Sequence, residues 1–230
     1  MIDKLTLVQE PCYLVKSLSK QGIIFIAMKD TRRKILDSAE KLFANNGVAA
    51  VSLREINAAA GVSPSVLHYH FGGRDELIAT MLERRLPALN VMRSQMLERL
   101  QGSGQPVSVR ELLAVTVLPL VQLLQEDGKA GQRFVKVLAR LHLERNAVYQ
   151  TLTMKYYPES RLDVFDELLQ RCPACTPQML ETRLAMAIDA MFSTLAALDM
   201  APRIWQTHLA QQALTIDQTV DVLLDFMCSG

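Results

Sequence analysis

Ser52-Leu-Arg-Glu-Ile-Asn-Ala-Ala-Ala-Gly-Val-Ser-Pro-Ser-Val-Leu-His-Tyr-His-Phe71 reads as two short helices joined by a turn of three or four residues. Ser52 and Glu55 have the spacing of a capping box, in which the serine hydroxyl accepts from the Glu55 amide while the Glu55 carboxylate accepts from the Ser52 amide. Gly61 ends that helix. Val62-Ser63-Pro64 restarts the chain, with Ser63 as N-cap and Pro64 at the first helical position, where a missing N–H leaves no bond unmade. Just upstream, residues 31–45 place Ile35, Ala39, Leu42 and Phe43 on one helical face, and Asn45-Asn46-Gly47 supplies a left-handed stop. One amphipathic helix bracing two short helices across a glycine-containing turn is the helix-turn-helix arrangement, whose last helix enters the major groove of DNA.

The faces of that last helix follow from its period. At 100° per residue, Leu67 and Phe71 turn into a three-helix core with Leu42, Ile56 and Ala60, which leaves Ser65, Val66 and Tyr69 outward and His68 and His70 on the flanks. Between Glu55 and Arg74 there is no charged side chain, so no carboxylate repels phosphate, and Arg54 and Arg74 stand at the two edges as phosphate clamps. The helix N-terminus at Ser52 and Leu53 offers amides and a partial positive charge to a phosphate. Plainer roles exist for single residues: Tyr69 packing on the first helix, or His70 against the fourth. His68 and His70, two residues apart, do not share a helical face and make a poor metal pair.

Residues 31–77, and above all Leu67-His-Tyr-His-Phe-Gly-Gly-Arg-Asp-Glu-Leu77, resemble the DNA-binding domain of the tetracycline-repressor (TetR) family of bacterial regulators. The pattern combines the first helix ending in Asn-Gly, the Ser-Leu-Arg-Glu-Ile cap, the Ala-Gly-Val-Ser turn, the aromatic cluster and the Phe-Gly-x-Arg-x-Glu-Leu entry to a fourth helix. Members with this pattern usually carry Tyr where this chain has His68, which keeps a hydrogen-bond donor. The resemblance implies a homodimeric regulator, a repressor in sense, that binds a palindromic operator in double-stranded DNA and is released by a small-molecule effector. The DNA-binding set expected here is Thr31, Arg32, Ser52, Arg54, Ser63, Ser65, Val66, His68, Tyr69, His70 and Arg74.

The whole chain accommodates this. Its 230 residues carry 25 Lys+Arg against 24 Asp+Glu, a net charge of +1, so bulk electrostatics select no partner and any charge argument is local. Half the residues are hydrophobic, enough for a sizeable core. No apolar run reaches bilayer length, and Cys12, Cys172, Cys175 and Cys228 do not space like a secreted disulfide framework; a cytoplasmic location is expected, with no membrane partner. The expected class is all-α: residues 1–28 an N-terminal extension, with Met28 the expected native start, 29–76 the helix-turn-helix domain with its motif at about 53–72, and 77–230 a helical effector-binding and dimerisation domain.

Within that larger part, Gly72-Gly73 breaks the third helix, and a fourth begins at Arg74-Asp-Glu with a kink or boundary expected at Pro87, running on to Gly102-Ser-Gly104. Further helices are expected near 108–127 (bent at Pro119), 131–143, 146–154, 159–171, 177–199 and 205–227. Phe134, Leu138, Leu141, His142 and Tyr149 describe an effector pocket for an apolar or amphipathic molecule, and equally an ordinary helical core. In the last helix, Leu209, Ala213, Ile216, Val220, Leu223 and Met227 are spaced 4, 3, 4, 3, 4, the period of a seam, and the helix before it is apolar on more than one face; the pair suits a homodimer interface. Cys172-Pro-Ala-Cys175 admits a redox or metal role beside that of an exposed turn, without a second ligand pair. No P-loop, G-x-S-x-G, H-E-x-x-H or dinucleotide fingerprint is present, so no catalytic residue, metal ligand or cofactor is assigned. The rival class is a helical lipid or small-molecule carrier that does not bind DNA.

Overall fold

The computed structural model describes residues 20–198 and 214–229, with side chains from residue 30 onward except at 158–161. The described residues form eleven α-helices and no strand: α1 (Lys20–Asn46), α2 (Leu53–Ala60), α3 (Pro64–Phe71), α4 (Arg74–Glu83), α5 (Leu86–Gly102), α6 (Val109–Asp127), α7 (Lys129–Leu143), α8 (Ala147–Tyr156), α9 (Pro158–Arg171), α10 (Pro177–Ala196) and α11 (Ile216–Ser229). The all-α expectation holds. Residues 1–19, with Cys12 and Lys16, lie outside the described residues, as does 199–213 with Leu209 and Ala213 of the expected seam. α1 starts well before residue 31 because no proline or glycine interrupts residues 23–46, so the end of the expected extension is continuous with it.

At Pro87 the structure has a boundary, not a kink. α4 ends at Glu83, Arg84 and Arg85 form the turn, and Pro87 falls in the first turn of α5, where its missing donor is harmless. α6 opens on a second capping box, Ser108 with Glu111, and runs unbroken through the buried Pro119. α6 and α7 then cross so closely at Gly131 that a Cβ there would sit 2.2 Å from the Leu123 carbonyl oxygen.

The small helices at the N-terminal end are seated on the larger body through α7. The Arg140 guanidinium donates to the carbonyls of Ala44 and Asn45 at the C-terminal end of α1, a helix end that favours a cation. Val48 N–H donates to Glu144 Oε1 at 3.3 Å. Deeper in, the nearly inaccessible carboxylate of Glu40 meets Arg85 at 3.0 Å and Arg133 at 3.9 Å, and Arg85 also reaches Asp127 and lies over the Phe134 ring.

The last helix corrects the expected seam. Val220, Leu223 and Met227 are buried within the same chain, where α11 packs chiefly on α6 and also on α10. The apolar side chains left outward on α11 are Val222 and Phe226, together with Ile216 of the expected seam at its start, and Met179 and Met186 are outward on α10. A period of 3 and 4 marks the buried stripe of a helix but does not say which helix covers it, and here α6 does. Cys172 and Cys175 are unbridged thiols in the turn before α10, where Arg183 Nη1 lies 3.2 Å from Cys175 Sγ.

Gly131→Ala is expected to destabilise the protein by ~2 kcal/mol through overpacking at the α6–α7 crossing, read as a lower thermal midpoint; an unchanged midpoint would show that the helices separate freely there.

Candidate nucleic-acid interface

The capping box at α2 forms as its sequence requires. Ser52 N–H donates to Glu55 Oε2 at 2.7 Å and Glu55 N–H donates to Ser52 Oγ at 3.2 Å. The amide of Ser52, then its hydroxyl, hold the Glu55 carboxyl below its usual 4.5, so the cap is intact above that range and is lost as pH falls through the depressed value. Gly61 closes the helix at φ +67, a left-handed conformation that favours glycine, and the N–H groups of Gly61 and Val62 donate back to Ala58 and Asn57. That turn fixes the angle at which α3 leaves.

α3 buries Leu67 and Phe71 in the core built with Ile35, Ala39, Phe43 and Ile56, while Leu42 and Ala60 are partly buried against it. The opposite side is open: Tyr69 is 74% exposed, Ser65 and His68 are exposed, and Val66 and His70 are half-buried. Tyr69 does not pack on α1; its ring stands edge-on to His70 at 5.3 Å. An 8-residue helix held by two large apolar side chains thus presents an uncharged ridge of hydroxyl, phenol and imidazole groups, with the exposed Arg54 on the neighbouring α2.

Several residues expected on this surface are engaged elsewhere. Arg74 Nη1 donates to the Val48 carbonyl at 2.6 Å and Nη2 donates to the Val51 carbonyl, so this guanidinium braces the α1–α2 loop and is not a free phosphate clamp. The entry to α4 brings Arg74 against two loop carbonyls that have no helical partner, and the fork of the guanidinium satisfies both. Arg32 lies over the Phe71 ring and donates weakly to Thr80 Oγ1 at 3.4 Å. His68 Nδ1 donates to the Gly72 carbonyl at 2.7 Å, closing the C-terminus of α3. Ser63 has the backbone of an N-cap, but its hydroxyl bonds Ser65 Oγ at 2.9 Å in place of a helix amide. Ser52 is exposed and shares its hydroxyl with Glu55, and Thr31 is half-buried on α1. Asn57, whose sequence context looks solvent-facing, is buried, with Oδ1 unpartnered.

The expected pocket residues divide. Leu138 and Leu141 are core, and Phe134 lies beneath Arg85 at the junction with α1. His142 and Tyr149 do come together, rings edge-on at 6.0 Å, with Phe192 of α10 4.9 Å from the imidazole, and His142 Nε2 donates to Asp189 Oδ1 at 2.7 Å. Near Tyr149 lies a buried Arg93 on α5, which the sequence does not mark as buried because no apolar face stands out around it.

Comparison with known proteins agrees with this architecture. Residues 35–81 match the family described as bacterial regulatory proteins, tetR family, and residues 114–230 match the tetracyclin repressor-like C-terminal domain. The regulator AcrR of Shigella flexneri is 33% identical over 90 residues, 39% of this chain and 41% of that protein, so the chain spans under half of AcrR. BetI of Rhizobium meliloti (strain 1021) is 24% identical over 168 residues, 73% of this chain and 79% of BetI. Among solved structures, NalD of Pseudomonas aeruginosa, described as the secondary repressor of a multidrug efflux pump, superposes with a TM-score of 0.55 at 23% identity over 89% of this chain and 97% of its own. The complex of SmeT with triclosan gives 0.51 at 21% identity over 87% and 90%.

Arg74→Ala is expected to lower stability by ~2 kcal/mol, because two loop carbonyls lose a charged donor. Thermal unfolding checks it; an unchanged midpoint would mean that the loop does not need the brace.

Proposed function

The chain belongs to the tetracycline-repressor family of bacterial regulators, and we propose that it is a homodimeric transcription regulator, most simply a repressor, that binds a palindromic operator through α3 and is released by a small-molecule effector. The head, residues 29–76, reads the DNA; the body, 77–230, senses and dimerises. The observation that carries this reading is the ridge of α3: Ser65, Val66, His68, Tyr69 and His70 on a helix anchored by Leu67 and Phe71, with no carboxylate among them. A free carboxylate on that surface would oppose the phosphate backbone. NalD and SmeT are both described as repressors of efflux pumps, which supports repression as the sense of control. Two-fold symmetry in the protein calls for two-fold symmetry in the site, with the recognition helices one helical turn of DNA apart.

For the dimer, the body offers α10 and α11, whose outward Met179, Met186, Val222 and Phe226 a second copy would cover. For the switch, α4 and α5 meet at the Arg84–Arg85 turn, with α4 touching α1 and α3 of the head and packing chiefly on α8, and α5 lying within the body. An effector that binds one setting of that turn better than the other shifts the spacing of the two heads, as differential affinity requires.

Binding to DNA from upstream of the protein's own gene, titrated with salt, tests the reading. Tyr69→Ala is expected to weaken all sequences alike, Arg54→Ala to reduce the salt slope by about 1, and substitutions at Ser65 or Val66 to change sequence preference; binding indifferent to all four would remove α3 from the interface. By light scattering, Phe226→Asp is expected to halve the mass of a wild-type dimer without loss of helix, whereas a wild-type monomer would end the dimer proposal.

A further inference from the structure

Arg93 on α5 is a buried cation that no carboxylate among the described residues neutralises. It is 9% exposed, its Nη2 reaches the Thr116 carbonyl only at 3.4 Å, and its Nη1 is buried with no hydrogen-bond partner. Among the described residues no carboxylate pairs with it; the guanidinium carbon lies 4.3 Å from the centre of the Tyr157 ring, and the guanidinium also meets the Tyr157 phenol. Arg85 at the head–body junction, by contrast, reaches the Glu40 carboxylate at 3.0 Å. A guanidinium does not shed its proton, and a charge removed from water without a counter-charge is strongly unfavourable.

What surrounds Arg93 is polar in a particular way. Tyr149 and Thr153 on α8 and Tyr157 at its C-terminal cap are spaced four residues apart, and the Tyr157 N–H donates to the Thr153 carbonyl. Thr153 Oγ1 is buried, and its one interaction is with the neighbouring Tyr149 phenol. Burial pushes the Tyr149 phenol up to about 12 and raises that of Tyr157 as well, so both keep their O–H groups at neutral pH. The cluster therefore offers N–H and O–H donors and no anion to receive them. Beyond Tyr149 the wall turns apolar and aromatic, with His142 and Phe192.

We propose that Arg93, Tyr149, Thr153 and Tyr157, between α5, α6 and α8, form the anchoring subsite of the effector, and that the effector is a small organic carboxylate with an apolar body. The inference rests on the regulator reading and deepens it. The planar fork of arginine suits a carboxylate in two parallel hydrogen bonds, flanked by hydroxyl donors, while the apolar body lies toward His142 and Phe192. Arg93 stands eight residues beyond Arg85, about 12 Å along α5, so an anion that draws on Arg93 acts on the same helix that begins at the Arg84–Arg85 turn. The apolar or amphipathic effector expected from sequence is thereby narrowed to an amphipathic acid.

The test uses the full chain, wild type and Arg93→Met, with butyrate, octanoate, benzoate and phenylacetate as probes, each against its primary amide at equal ionic strength. At least one carboxylate is expected to raise the wild-type thermal midpoint saturably and to bind Arg93→Met at least tenfold more weakly by calorimetry, its amide doing neither. Arg93→Met alone is expected to unfold at a higher temperature than wild type, because an uncompensated charge gives way to an apolar chain of similar length. A lower midpoint for Arg93→Met would make the arginine a structural cation and overturn the proposal; so would acids and amides that act alike, or four acids without effect. Wild-type binding to upstream DNA, measured in the same samples, separates the two readings. DNA binding with no response to any acid defeats the anion site and leaves the regulator reading intact, whereas no DNA binding at all defeats the regulator reading and, with it, the effector role of the site.

Discussion

The Glu40 carboxylate, almost wholly removed from water inside α1, is the constraint around which the head and the body are arranged. An anion in that position is tolerated only with cations at hand, and they arrive from two different parts of the body: Arg85 from the break between α4 and α5, and Arg133 from α7. Breaking such a pair by removing one member costs ~3–5 kcal/mol, more than the intact pair contributes, because the survivor is left buried and uncompensated. The head cannot turn on the body without disturbing this contact. The same α7 holds the end of α1 through Arg140 and the following loop through Glu144, so the joint is gripped at three levels of one helix.

Everything the reading surface does follows from that joint. α3 is positioned by Leu67 and Phe71 against α1 and by the Gly61 turn against α2, and the loop between α1 and α2 is braced by Arg74 from the start of α4. Arg85, which neutralises Glu40, opens α5, the helix that also carries Arg93. Charge placed near Arg93 and charge placed near Glu40 thus bear on one helix, α5, at its middle and at its N-cap. The Arg84–Arg85 turn, between two helices that both pack on α8 while one also meets the head and the other meets α6, is where a body can communicate with a head through discrete rearrangement of packed parts and not through gradual deformation.

Local sequence was sufficient for most of the helices and for the orientation of α3. Capping residues, glycine stops and a 3.6-residue period act within one or two turns, and the positions of α2, α3 and the faces of Leu67, Phe71, Ser65 and Tyr69 needed nothing more. The family pattern in residues 31–77 was legible for the same reason. Long polar side chains were not. Arg54 and Arg74 are equivalent in sequence, both flanking an uncharged stretch, yet one is exposed and the other is held by two carbonyls that lie more than twenty residues away along the chain.

The amino-acid sequence by itself determined an all-helical protein with a helix-turn-helix head, since those features depend on interactions between near neighbours. Only the tertiary structure decided who covers each stripe and who neutralises each charge: that α6 takes the apolar face of α11, that Glu40 has Arg85 and Arg133, and that Arg93 has no carboxylate among the described residues. The physical reason is reach. A helix period reports that a face is buried, and an arginine reports that a charge exists, but the partner of either is set by the packing of segments that are distant along the chain.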